Sequence, residues 1–186
     1  MSELGRAFVA VVPPSDVFDA IGRAVAPLRG RESGVRWAGR GQWHLTLQFL
    51  GRVDDDDALV AALREVTDAA APFETELEGA GAYPSAARAK VLWIGVGAGA
   101  TELTELAAGV ASVSEGLGHT IERRPYTPHL TVARVPRPHR VDPVVTELAE
   151  GLRDARWRVD ALVLVESDTR PDGAVHTERH RLALGS

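Results

Sequence analysis

The 186-residue chain contains no cysteine. That absence excludes a disulfide framework, a thiolate metal site and a cysteine nucleophile, and it fits a reducing, cytoplasmic setting. Lysine is nearly missing as well: Lys90 is the only one, so the basic charge is almost entirely arginine. Arginine's planar fork suits phosphate recognition, although a GC-rich gene accounts for the same bias. No apolar run reaches the length of a membrane span. The N-terminal MSELGRAFVAVVPPSD lacks the basic start and long apolar stretch of a secretory signal, so no membrane association is expected. With a net charge of −5, the surface does not suit broad nucleic-acid binding, and such a ligand would be gripped at one small place. There is no G-x-x-x-x-G-K-[ST] loop to support ATP use.

What is present is ordinary for a globular protein: 45 % apolar and 25 % charged residues. The length suits one domain over residues 1–186, expected as a monomer. RAFVAVV (6–12) reads as a strand stopped by Pro13 and Pro14. Ser15 is expected to cap a helical pattern with Val17, Ile21, Val25 and Leu28 on one face. VRW (35–37) is a short strand, followed by a strand over 44–50. The run Asp54 to Asp57 begins a second helix, in which Leu59, Ala62, Leu63 and Val66 are spaced for burial. FETELEG and KVLWIGV (90–96) are strands, 101–117 a third helix, TPHLTVARV a strand and 141–152 a fourth helix. RWRVDALVLVES and AVHTERHRLAL close the chain as two strands.

This order repeats. Each half reads strand, helix, strand, helix, strand, with an H-L-T strand just before its second helix. The expectation is an α+β fold of two pseudo-symmetric lobes of antiparallel sheet with helices outside and a central cleft. An approximate two-fold axis would set the H-L-T strands side by side.

Strand side chains alternate between faces. His44, Thr46 and Gln48 therefore share one face, and Leu45, Leu47 and Phe49 the other. In the second copy His129, Thr131 and Ala133 oppose Leu130, Val132 and Arg134. The apolar sides are expected in the core and the His–Thr sides in the cleft, with Arg134 curling towards a ligand from the strand end. Two histidines can hold opposite protonation states near neutral pH. A threonine hydroxyl two positions on points into the same space and can donate to a phosphoryl oxygen. Such a set suits phosphoryl transfer without a metal.

The pair HLTLQFLG and RPYTPHLTVAR resembles the signatures of the two-histidine phosphoesterases, in particular the bacterial and archaeal RNA 2′,3′-cyclic phosphodiesterases (LigT-like, first described as 2′-5′ RNA ligases). FVAVVPPSDV is similar to that family's opening, YPSAARAKVLWIGV to its central loop and strand, and VESDTRPDGAVH to its C-terminal hairpin. The resemblance implies His44 as proton donor to the leaving 3′ oxygen and His129 as the base that activates water. It implies Thr46, Thr131 and Arg134 as phosphate-binding residues, with no cofactor or metal. The substrate would be an RNA 3′ end bearing a 2′,3′-cyclic phosphate, or a small cyclic nucleotide. Another cyclic or 2′-5′-linked phosphodiester, reverse 2′-5′ ligation and a non-catalytic RNA-end binding module are the alternatives. Trp43 and Tyr126 flank the motifs and are candidates to line the groove. His176 is a third candidate, standing where the family pattern is expected to be aromatic; that departure bears on base or ribose stacking.

Other signals have plainer explanations. The aspartates 54–57 suit a helix start, through capping and the dipole. His176 and His180 have the spacing of a helical zinc pair but fall in a strand pattern with no H-E-x-x-H. Trp37, Trp93 and Trp157 lie in or beside strands, where core packing is the default.

Overall fold

The structure, a computed structural model, describes residues 3–170 and 173–185. Nine strands and four helices follow the expected order among these residues: β1 (Leu4–Val11), α1 (Ser15–Arg29), β2 (Arg36–Trp37), β3 (Leu45–Val53), α2 (Asp56–Ala69), β4 (Phe73–Tyr83), β5 (Ala89–Val96), α3 (Ala100–Gly116), β6 (His129–His139), α4 (Asp142–Gly151), β7 (Arg156–Val159), β8 (Ala161–Arg170) and β9 (Gly173–Ala183). The turn of the last hairpin, at 171–172, lies outside the described residues.

The helices form where the apolar spacing demands it. On α1 the buried residues are Val17, Ala20, Ile21, Ala24, Val25 and Leu28, one continuous stripe. Ser15, however, is its first residue and not its cap, a position Pro14 takes without a side-chain hydrogen bond. The aspartate run does begin α2: Asp55 is its N-cap and accepts from the Ala58 N–H at 3.1 Å. Leu59 and Leu63 bury its inner face, and Leu103, Leu106 and Val110 bury that of α3.

The strands make one antiparallel sheet in the order β7-β4-β5-β6-β3-β1-β8-β9, with β2 added to β6. The centre of that order is the β6–β3 neighbour pair, joined at Leu45↔Leu130. On either side the sheet reads outward in matching fashion, β3-β1-β8-β9 one way and β6-β5-β4-β7 the other. This is the α+β, two-lobed arrangement expected from the repeat. The third strand of each half is exchanged, however: β4 joins β5, while β8 joins β1. RWRVDALVLVES is also not one strand. It breaks at Asp160 into β7 and β8, which sit in opposite halves of the sheet. A single intervening residue spans only about 7 Å from Val159 to Ala161. The sheet must therefore curl until its two ends approach, and that curl makes a cleft of its inner face.

Candidate active site

Both H-L-T strands carry a β-bulge, and they carry it at the same place. Against β1, Val9 pairs with Gln48 but Ala10 pairs with Thr46, so Leu47 is an extra residue. Against β5, Leu92 pairs with Ala133 but Trp93 pairs with Thr131, so Val132 is extra. In each copy the bulged residue follows the threonine. A bulge breaks the strict alternation of faces and re-aims the side chains beyond it. Leu45, Leu47, Leu130 and Val132 stay buried. Beyond the bulge, however, Phe49 is turned out of the core, 63 % exposed, and lines the cleft. This corrects the sequence expectation that Phe49 packs inside with Leu47. Arg134, its counterpart on β6, is likewise exposed and lines the cleft. The curl towards a ligand thus has a cause in the bulge at Val132.

The cleft has a volume of about 730 Å³. His44, Thr46, Thr131, Arg134 and His176 all line it. Its apolar floor is Phe8, which with Ala10, Val163 and Val165 forms a cluster separate from the main core. Phe8 stacks on the His44 ring at 4.6 Å and 25°, and His176 meets His44 edge-on at 5.1 Å. Burial is the main force on His44: it pushes the imidazole from 6.5 down to about 4, with the like charges of His176 and then His129 adding to it. A hydrogen bond with the Gln42 backbone opposes that shift. The cleft was traced in the sequence only through the H-L-T strands. Phe8 carried one overlooked signal: the unbroken apolar run of β1 is that of a strand covered on both faces.

His129 sits against a different pair of rings, Tyr83 at 5.2 Å and Trp93 at 6.2 Å. Its Nδ1 lies 2.7 Å from the Thr127 carbonyl. A carbonyl only accepts, so Nδ1 carries the proton and Nε2 is the free nitrogen of the neutral ring. His44 is held in the same manner, by the backbone of the residue two before it. Each histidine is thus oriented by its own chain, immediately ahead of its strand.

Two candidates for groove lining do not line it. Trp43 is 5 % exposed, buried in the core against Phe18 at 5.9 Å. Tyr126 is half-buried and its hydroxyl donates to the Thr46 carbonyl at 3.0 Å, tying the loop before β6 to β3. Both flank a motif in sequence, but flanking residues at a strand entrance face the core as readily as the cleft. Conversely Trp37 is part of the cleft wall. His176 and His180 are separated by a further bulge: Leu164 pairs with His180 and Val165 with Glu178, leaving Arg179 extra. His176 faces the cleft, whereas His180 Nε2 reaches Asp56 Oδ2 at 3.2 Å, at the start of α2. The bulge removes the shared face that a zinc pair would need.

His44 and both threonines line the cleft, whereas His129 is not part of its lining and stands beside Tyr83 and Trp93, near enough for its charge to act on His44. Two backbone-oriented imidazoles and two hydroxyls so grouped suit a phosphoesterase. The sequence profile of the 2′-5′ RNA ligase superfamily matches residues 14–171. The chain belongs to that superfamily. It is 33 % identical to a Thermus thermophilus protein named RNA 2′,3′-cyclic phosphodiesterase, over 96 % of this chain and 90 % of the relative. It is 30 % identical to an Aquifex aeolicus protein of the same name, over 81 % and 82 %. A crystal structure of a Thermus thermophilus protein superposes with a TM-score of 0.80 at 28 % identity, covering 97 % of this chain and 99 % of that one. The apo form of Escherichia coli LigT shares the fold, with a TM-score of 0.79 at 24 % identity over the full length of both chains. No helix among the described residues is long and apolar enough to cross a membrane.

Proposed function

We propose that the protein hydrolyses the 2′,3′-cyclic phosphate at an RNA 3′ end to a 2′-phosphate, without a metal. The observation that supports this reading is the Leu45↔Leu130 pairing at the sheet centre, which makes the two H-L-T strands neighbours, with Thr46 and Thr131 lining the same cleft as His44. The names of the curated relatives supply the substrate class. In the proposed step, His129 Nε2 takes a proton from water as its oxygen attacks phosphorus. The bond from phosphorus to the 3′ oxygen breaks, and His44 delivers a proton to that oxygen. Thr46 and Thr131 donate to the non-bridging oxygens, where charge accumulates, and Arg134 adds its fixed positive charge. Phe49, exposed at the cleft edge, offers a flat surface to a base.

The acid role makes one demand. Free His44, held down to about 4, carries no proton at neutral pH. A bound phosphodiester anion opposes that depression, since an opposite charge favours the protonated ring. Substrate therefore arms its own proton donor. The test is a panel of nucleoside and oligonucleotide 2′,3′-cyclic phosphates with products resolved as 2′- or 3′-phosphates, run with and without EDTA. Expected are 2′-phosphates and unchanged rates in EDTA. A 3′-phosphate product would overturn the direction of ring opening, and loss of activity in EDTA restored by a divalent ion would overturn the metal-free mechanism.

A further inference from the structure

The short strand β2 carries a feature that the reaction itself does not use. Arg36 of β2 is the direct cross-strand partner of Arg134 on β6, and both side chains line the cleft. Like charges placed directly opposite across a sheet repel and destabilise it. Among the described residues neither guanidinium has an ion-pair partner or a side-chain hydrogen bond. Arginines elsewhere on this acidic protein are commonly matched to a carboxylate, as Arg40 is to Asp19 and Arg156 to Glu76. On the opposite rim Arg170 is matched to Asp168, and Arg6 is tied to the Thr169 hydroxyl. A hydroxyl leaves the charge of Arg6 in place, so the opposite rim keeps one single cation, while the β2–β6 wall sets two directly side by side.

Position gives this pair a ligand. Arg134 lies three residues beyond Thr131, about 10 Å along the strand, and Arg36 stands beside it on β2, along the same edge of β6 that pairs with β3. A reacting phosphate held by the two threonines would engage the nearer charge of Arg134 in the proposed step and leave Arg36 over. We propose that Arg36 forms a second phosphate subsite, binding the phosphodiester on the 5′ side of the terminal nucleotide. This deepens the cyclic-phosphate reading and rests on it. The consequence is a substrate class: the site is built for the end of an RNA strand in preference to a free cyclic mononucleotide, because only the strand carries that second phosphate.

The test compares wild type, Arg36→Gln and Arg36→Lys on an oligoribonucleotide ending in a 2′,3′-cyclic phosphate and on a nucleoside 2′,3′-cyclic monophosphate. Arg36→Gln is expected to raise KM for the oligonucleotide about fivefold, the upper size of an exposed charge interaction. It should flatten the salt dependence for that substrate by about 0.7 in log–log slope, one phosphate contact on a single strand. The mononucleotide should be unaffected, and Arg36→Lys should recover part of the loss. Equal losses on both substrates, or no loss on the oligonucleotide, overturn the subsite. If wild type turns over neither substrate, the phosphodiesterase reading fails. Binding of a fluorescent oligonucleotide ending in a 2′-phosphate then decides the subsite by itself: weaker binding by Arg36→Gln upholds it, and equal binding overturns it.

Discussion

The two walls of the cleft share a backbone and differ in what surrounds it. His44 and His129 each precede a Leu-Thr pair, each bond to backbone two residues back, and each open a strand that bulges after its threonine. Yet His44 lies flat on Phe8 with His176 across its edge, while His129 stands edge-on to Tyr83 near Trp93. A repeated backbone places two equivalent imidazoles. The rings around them then make the two unequal, and the proposed mechanism would use that inequality, with one histidine giving a proton while the other takes one.

The comparison breaks most visibly if either imidazole is removed. His44→Ala and His129→Ala are each expected to lower kcat by about 10²–10⁴-fold in a folded protein, the range for loss of an acid or base. Near-wild-type turnover in either, measured on a cyclic phosphate, would end the paired scheme.

The next effect belongs to the His44 wall alone. Its ring resists protonation in the folded protein but not in the unfolded chain, so the unfolded state binds the extra proton first. Stability from this group is complete above about 6.5 and falls as the pH drops towards about 4. The loss over that window approaches about 3 kcal/mol. Denaturant unfolding should show that slope in wild type and a shallower one in His44→Gln; parallel curves would mean that burial does not act on this histidine.

On the other wall Gly81 leaves room for the Trp93 indole, and a Cβ built there would overlap the ring. Gly81→Ala must move Trp93 and with it the setting of His129. The expected cost is about 1–3 kcal/mol in unfolding free energy, with a fall in kcat. An unchanged kcat would detach Trp93 from the site. The smallest effect sharpens the asymmetry. His176→Phe keeps the ring burial around His44 but removes a like charge, so the acidic limb of the kcat/KM profile should rise from about 4. The rise should stay under about one unit, because burial is the larger cause. A stationary limb would remove His176 from the tuning of His44.

Much of this molecule was readable along the chain. The stripe Val17–Ile21–Val25–Leu28 announced α1, the aspartates announced the start of α2, and the duplicated H-L-T announced both the pseudo-symmetry and the four central polar side chains. What escaped depends on counting residues across strands. Phe49 sits at a core position by alternation, and only its pairing with Phe8 past the extra Leu47 sends it to the cleft. His176 and His180 share a face by the same rule until Arg179 intervenes. Trp43 and Tyr126, each beside a motif, turned into the core and to the Thr46 carbonyl. Arg36 drew no notice in sequence because its meaning lies in having Arg134 opposite.

By itself, then, the amino-acid order determined which residues are proposed to carry the chemistry and how the elements alternate, because periodicity and motif spacing are local properties of a chain. The tertiary structure alone decided which way those residues face and what charges their neighbours bear. It did so through three bulges, two exchanged strands and a sheet curled by the single residue between β7 and β8. A bulge is defined only against a partner strand, and a proton affinity only against the burial and charges that folding brings.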